Sequence, residues 1–124
     1  MGLDVYASRT PHLKDDHERL TQEDIEAFQK TDAFLTRGLF SFGAGAFRGK
    51  VYAPIVYRIT GVDLYQKWIP PDVVKKMWES LERCDSEKLV EEDPIICSTT
   101  SVILELQRFF QVCAERNLGL IGWW

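Results

Sequence analysis

The chain has 124 residues, of which 45% are hydrophobic and 27% are charged, a balance typical of a globular protein and not of a disordered one. Its formal net charge of −4 repels phosphate backbones, which disfavours nucleic acid as a partner. The sequence has no apolar run of the roughly 18 residues that cross a membrane, and its length predicts one domain over residues 1–124.

Two elements are predicted in the first third of the chain. Apolar and polar residues alternate over Gly2–Ala7, which predicts a short strand. Thr21 and Asp24 have the spacing of a capping box, in which each side chain accepts a hydrogen bond from the other residue's backbone N–H. A helix is therefore predicted over Gln22–Lys30 at least.

The middle of the chain contains one loop and one ambiguous element. Leu39–Phe47 is rich in glycine and alanine and is predicted to form a tight loop whose phenylalanines point inward. Lys50–Thr60 has apolar residues at helical spacing, whereas its β-branched and aromatic content also suits a strand. We predict a helix, because Pro54 is tolerated in a first helical turn but not in a central strand, and Gly61 suits a helix end.

The next stretch is predicted to hold a helix between two connections. Val62–Pro70 is predicted to be a turn followed by extended chain, with apolar side chains available for packing. Pro71–Arg83 is predicted to be a helix, because proline suits its first position and the apolar residues that follow lie on one helical face. Asp85–Asp93 is acidic and is predicted to be a solvated connection.

The last third has the clearest helical stripe in the chain. The hydroxyl residues of Ser98–Ser101 offer N-caps for a helix that ends near Arg116. Leu118–Trp124 is predicted to be a strand that pairs with Leu3–Ala7, because two short strands need each other for stability. We therefore predict an α+β, predominantly helical fold, with three or four helices around the amphipathic C-terminal helix and a small sheet from the N- and C-terminal strands.

Three segments resemble those of a group of small uncharacterised bacterial proteins. They are Met1–Tyr6 (MGLDVY), Phe47–Tyr52 (FRGKVY) and Leu64–Pro71 (LYQKWIPP). The resemblance implies a bacterial cytosolic protein and carries no activity.

Aromatic and cationic side chains are concentrated in the middle of the chain and form the leading candidate for a binding surface. Such residues anchor protein interfaces, and they also stack on planar ligands. The alternative is that the rings fill the core and keep only their polar tips in water. A protein partner is favoured over nucleic acid because the net charge is acidic. The set comprises Arg48, Lys50, Tyr52, Tyr57, Arg58, Tyr65, Lys67 and Trp68.

A phosphate-binding loop is the second candidate. The segment Ala44–Val51 narrowly misses the P-loop pattern, because Ala44 replaces its first glycine and Val51 replaces the hydroxyl residue that holds magnesium. The incomplete metal site disfavours nucleotide hydrolysis. A small enzyme or an anion- or phosphate-binding protein that uses the Arg48-Gly49-Lys50 loop is therefore the alternative function.

Metal and thiol chemistry are weaker candidates. His12 and His17, with two aspartates between them, have suitable ligand types, but their spacing does not place both on one helical face. We therefore predict no metal, cofactor or catalytic residue. Cys84 and Cys113 fall on apolar helical faces, whereas Cys97 would favour a thiolate if it were exposed at a helix N-terminus. Three cysteines without C-x-x-C spacing, and no recognisable signal peptide, predict reduced thiols in the cytoplasm.

Trp123 and Trp124 are the final feature. Exposed indoles invite aggregation, so we predict that they pack on the core or become buried in a homodimer. If the strand that carries them is an open edge, pairing between two chains would cover it. The predicted function is a non-enzymatic protein-interaction or ligand-binding module that forms a homodimer.

Overall fold

A four-stranded antiparallel sheet joins segments from both halves of the chain. The computed structural model describes residues 2–11, 20–33, 35, 45–97 and 99–124. Its strands are arranged in the order β2-β1-β4-β3. Strands β1 and β4 pair along their full length, from Asp4 opposite Trp123 to Ser8 opposite Gly119, which confirms the predicted pairing. The strands are β1 (Asp4–Ser8), β2 (Ala46–Arg48), β3 (Trp68–Ile69) and β4 (Gly119–Trp123).

Helices account for most of the described residues, which confirms the predicted α+β, predominantly helical fold. Helix α6 lies at the centre of the core, because its Phe109 ring lies 5.1 Å from the Phe28 ring and 5.0 Å from the Phe47 ring. Helix α3 packs along α6. The helices are α1 (Gln22–Lys30), α2 (Gly49–Thr60), α3 (Pro71–Arg83), α4 (Ser86–Glu92), α5 (Pro94–Cys97) and α6 (Thr100–Glu115).

The predicted helix boundaries are confirmed where local chemistry determines them. In the capping box of α1, Asp24 N–H donates to Thr21 Oγ1 over 3.2 Å, and Thr21 N–H donates to Asp24 Oδ2 over 2.9 Å. The ambiguous segment is helix α2, and Gly61 ends it in the left-handed conformation, with φ of 75°. Pro54 lies further inside α2 than the first turn that we predicted, at an exposed position.

Two segments differ from their predicted structure. Ala46–Arg48, predicted to belong to a loop, forms β2 and places Phe47 in the core, as expected of that side chain. Asp85–Asp93, predicted to be a solvated connection, contains α4, whose N–H at Lys88 donates to the Asp85 carboxylate. Leu89 and Val90 of α4 pack against the core, which explains why this segment is helical. They form a narrow apolar stripe, and the acidic residues around it made the segment resemble a solvated connection. Phe40 and Phe42 lie outside the described residues.

The core lies on one face of the sheet. Val5, Ala7 and Leu120 share a buried cluster with the apolar faces of the helices. Side chains alternate between the two faces of a strand. The residues next to each of these three in its own strand therefore belong to the opposite face. That opposite face has a different composition and contains the candidate site.

Candidate functional site

An aromatic surface extends across three strands on the outer face of the sheet. Tyr6 lies opposite Ile121, and Trp68 lies opposite Ile121 on its other side. Residues opposite each other in an antiparallel pair point to the same face, so the three side chains form one row. Ile121 is buried, yet it is not a member of the main core cluster.

Trp123 extends this surface along β4. It lies two residues beyond Ile121 and therefore on the same face, and its side chain is 63% exposed. We call Tyr6, Trp68, Ile121 and Trp123 the aromatic face. Beyond the end of β4, Trp124 packs edge-on against Tyr65, with ring centroids 5.8 Å apart. Of the two alternatives predicted for Trp123, packing on the core of its own chain is not found, and burial in a homodimer stays a prediction. Strand β4 is not an edge, because it lies between β1 and β3, so the predicted edge pairing of two chains through this strand is wrong.

A glycine holds Trp68 in place. A Cβ atom at Gly119 would lie 2.5 Å from Cη2 of Trp68 and 2.5 Å from the backbone oxygen of Ile69. Neither distance occurs in real structures, so only glycine allows the indole to lie against the backbone of β4. The position of the Trp68 ring is thus fixed by the adjacent strand.

Charged groups of both signs border the aromatic face. Asp4 lies opposite Arg48 on one side and opposite Trp123 on the other, so all three point to the outer face. Lys67 and Asp63 are exposed beside β3. On the face itself the strand register places one charge of each sign, Asp4 and Arg48, although the whole chain has a net charge of −4.

The structure brings only part of the predicted aromatic and cationic set together. Arg48 and Trp68 lie on the outer face of the sheet, whereas Tyr65 and Lys67 lie in the segment that precedes β3. Tyr52, in contrast, is completely buried, so its prediction as a surface residue is wrong.

The remaining members of that set lie on α2. Arg58 forms ion pairs with Asp93 at 3.2 Å and Glu92 at 3.6 Å. Tyr57 is 60% exposed, and Lys50 is also exposed. The sequence-based set grouped these side chains of α2 with those of β3 because they are close in the sequence. Tyr6 and Trp123, in contrast, join the aromatic face only through strand pairing.

The Arg48-Gly49-Lys50 segment is not a loop. Strand β2 ends at Arg48 and α2 begins at Gly49 without an intervening turn. The Gly49 N–H donates to the carbonyl oxygen of Leu3 over 2.7 Å, so it is not available to an anion. A Cβ atom at Gly49 would lie 2.5 Å from Cγ2 of Val5, and close packing is therefore the reason for this glycine.

The thiols are shielded. Cys97 is buried at the end of α5, and burial, followed by the negative charge of Asp93, raises the pKa of its thiol. The condition under which Cys97 would be reactive, exposure at a helix N-terminus, is not met. Burial also raises the pKa of Cys84 and Cys113.

The weak metal candidates His12 and His17 lie outside the described residues, as do the two aspartates between them. Within the part of the chain that the structure describes, no group of three or more histidine, cysteine or acidic side chains could hold a metal ion. No helix within the same residues is long and apolar enough to cross a membrane.

A buried carboxylate with two arginines is a feature that the sequence did not reveal. Asp24 is completely buried, and Arg9 donates to both of its oxygens, over 2.6 Å from Nη2 and 3.1 Å from Nε. Nε of Arg116 donates to the same carboxylate. Burial alone would raise the pKa of Asp24, but the hydrogen bonds from Arg9, the Thr21 backbone and Arg116 lower it from 3.8 to about 2.

The Asp24 cluster connects three distant segments. Arg9 follows β1, Asp24 lies in the first turn of α1, and Arg116 follows the end of α6. The capping-box spacing identified Asp24, but no local pattern pairs it with an arginine 15 or 92 positions away. Both carboxylate oxygens are occupied, so we assign this cluster a structural role and keep the aromatic face as the candidate site.

Comparisons of the chain with protein-family models, with curated proteins and with solved structures found no match.

Proposed function

We propose that the protein is a non-enzymatic protein-interaction module of the cytoplasm and that its binding surface is the aromatic face. The observation that carries the proposal is the 63% exposure of Trp123 beside Trp68 and Tyr6. Tryptophan, tyrosine and arginine are enriched among the residues that dominate binding energy at protein interfaces. A surface of this composition, bordered by charged groups, has the arrangement of an interface with an apolar centre and a polar rim.

The charges around the aromatic face favour a protein over a nucleic acid. Proteins that bind single strands combine stacking rings with a groove of positive charge. Here Asp4 offsets Arg48 on the face and the whole chain has a net charge of −4, a balance that does not attract a phosphate backbone. The cytoplasmic assignment is supported by Cys84, Cys97 and Cys113, which are all free thiols.

The alternative of an anion-binding protein or small enzyme has less support. It relied on a loop at Arg48-Gly49-Lys50, where the chain instead passes directly from β2 into α2. A thermal-shift screen with phosphates, nucleotides and divalent metals tests it, because a ligand that binds the folded state raises the melting temperature.

Site-specific photocrosslinking tests the proposed function directly. A photoreactive aromatic amino acid is placed at position 123 in one variant and at position 57 in another, since Trp123 and Tyr57 are 63% and 60% exposed. In cells, position 123 should give protein adducts that position 57 does not give. Equal adducts at both positions, or none at 123, would contradict the proposal. Adducts that nuclease treatment removes would identify nucleic acid as the partner instead.

A further inference from the structure

We propose that Arg9 and Arg116 form a binding site for a phosphate group, with Asp24 holding their two guanidinium groups in position. This site is independent of the proposed function, because none of the three residues belongs to the aromatic face. The structural role of the Asp24 carboxylate is compatible with a binding role of its two arginines, since the two roles use different N–H groups.

The two guanidinium groups are held side by side. Nη2 of Arg9 donates to Asp24 Oδ1 over 2.6 Å, and Nε of Arg116 donates to the same oxygen. Because one atom accepts both bonds, the two donor nitrogens lie no more than about 6 Å apart, the length of two hydrogen bonds. The three acceptor oxygens of a phosphate group can contact two guanidinium groups at such a separation.

Most N–H groups of the two arginines are not used by Asp24. A guanidinium group has five N–H donors in a planar fork. Arg9 gives two of them to Asp24, through Nε and Nη2, and Arg116 gives one, through Nε. The side chains of Arg9 and Arg116 are 37% and 28% exposed, whereas that of Asp24 is completely buried. The unused donors therefore reach the surface on the side away from the carboxylate.

The local charge favours an anion. Two cationic groups surround one buried carboxylate, which leaves an excess of positive charge in a chain whose net charge is −4. Among the described residues, Glu23 is the one other carboxylate paired with this cluster, at 3.7 Å from Nη2 of Arg116. Its side chain is 85% exposed, and exposed ion pairs are weak. A phosphate dianion can therefore displace Glu23 from Arg116.

Asp24 also lowers the entropic cost of binding. An arginine side chain normally loses conformational freedom when it closes on a ligand. Here the carboxylate is fixed in the first turn of α1, where the Thr21 N–H donates to it over 2.9 Å, and it orients both arginines before a ligand arrives. The pKa of Asp24 is about 2, so the orienting group is ionised at neutral pH.

An NMR titration with inorganic phosphate at constant ionic strength tests the site, because the Nε–H signal of each arginine reports on its own guanidinium group. The signals of Arg9 and Arg116 should shift together, with one dissociation constant of about 1 mM or below. The signal of Arg58 is the internal control. Arg58 is 41% exposed and also pairs with carboxylates, but those of Asp93 and Glu92 are partly exposed themselves, and its signal should not move.

Matched substitutions locate the binding. Arg9→Lys or Arg116→Lys should weaken phosphate binding about tenfold, because lysine keeps the charge but has a single donor nitrogen. Arg58→Lys should leave binding unchanged. Arg48→Lys should also leave it unchanged, which separates this site from the Arg48-Gly49-Lys50 segment.

A further variant keeps both arginines and the buried carboxylate intact. Glu23→Gln removes the exposed carboxylate that competes for Arg116, so phosphate binding should become about threefold tighter. Glu91→Gln removes an exposed carboxylate from α4 and should have no effect.

Phosphoserine and acetate complete the experiment. Tighter binding of phosphoserine than of inorganic phosphate would support the site and identify a phosphate group carried on a larger molecule, and the reverse order would support it and identify the free ion. Unshifted Arg9 and Arg116 signals with both compounds overturn the inference. Equal weakening by Arg9→Lys and Arg58→Lys also overturns it, and so does acetate binding as tight as that of phosphate.

Discussion

The two faces of the sheet are built from alternate residues of the same strands, yet their side chains differ in exposure. On the inner face, Val5 and Leu120 are covered by helices of the same chain. On the outer face, Ile121 is also buried, whereas Trp123 is mostly exposed. Both faces contain large apolar side chains, although the outer face also carries the charged pair Asp4 and Arg48. The clearest difference is Trp123, whose exposed ring is the part of the outer face that we propose a partner covers.

The largest expected effect is on the inner side. Phe109 is completely buried and contacts the rings of Phe28 and Phe47. Phe109→Ala should lower the free energy of unfolding by about 3–5 kcal/mol, because it removes a large side chain and leaves a cavity. Urea unfolding followed by circular dichroism measures the change. A loss below about 1 kcal/mol would show that α6 is not the centre of the core.

The Asp24 cluster should have the next largest effect. Asp24→Asn removes the negative charge that faces Arg9 and Arg116, and we expect a loss of about 2–3 kcal/mol, since both arginines keep some contact with water. The control is Glu26→Gln, an exposed carboxylate on the same helix. Equal unfolding free energies for the two variants would exclude a stabilising role for the cluster.

The same carboxylate makes stability depend on pH. The pKa of Asp24 falls from 3.8 to about 2 on folding, so its contribution is fully present above about pH 4. It is lost as the pH falls through about 2, and amounts to about 2 kcal/mol. The unfolding free energy of the unchanged chain should therefore decrease more steeply between these pH values than that of Asp24→Asn. Parallel curves for the two proteins would contradict this assignment.

A smaller effect is expected at Gly119, where the Trp68 ring lies against the backbone of β4. Gly119→Ala forces apart the Trp68 ring and the backbone of β3, which should cost about 1–3 kcal/mol and shift the tryptophan fluorescence. Gly61→Ala is the matched control. Its Cβ meets nothing within 4 Å, so only the left-handed backbone is strained and the fluorescence should stay constant. An unchanged spectrum for Gly119→Ala would show that Trp68 is not held by β4.

The smallest effect concerns the outer face itself. At low concentration Trp123→Ser should change the unfolding free energy by less than about 0.5 kcal/mol, as is usual for exposed positions. At high concentration the predicted homodimer should stabilise the unchanged chain, and the variant should not gain this stability. Melting temperatures measured across a dilution series reveal the difference. Identical concentration dependence of the melting temperature for both proteins would show that Trp123 takes no part in association, which contradicts the role proposed for the outer face.

Much of the fold could be predicted because its boundaries have local causes. The Thr21 and Asp24 capping box, Gly61 after α2 and Pro71 at the start of α3 each act over a few residues. The pairing of β1 with β4 was also predictable, since both strands are short and apolar. Strands β2 and β3 were not, because strands of three and two residues have too little alternation to be recognised.

The candidate site was predictable only in part, because it depends on strand order. Trp68 was recognised from its neighbours in the sequence, but its true neighbours, Tyr6 and Trp123, lie 62 and 55 positions away. Tyr52 was grouped with it on sequence distance alone and is buried instead. Composition identified the kind of residue that forms the site, whereas the fold determined which of these residues meet.

The order of the strands has a consequence for the newly made chain. Among the described strands, β4 follows the other three in the sequence, yet it lies between β1 and β3. While the chain leaves the ribosome, β1 can pair with β2, but the described partner of β3 is missing until residues 119–123 emerge. The growing polypeptide therefore carries an unpaired edge along β1 until β4 is made, and a chaperone that recognises exposed strands would find its target there.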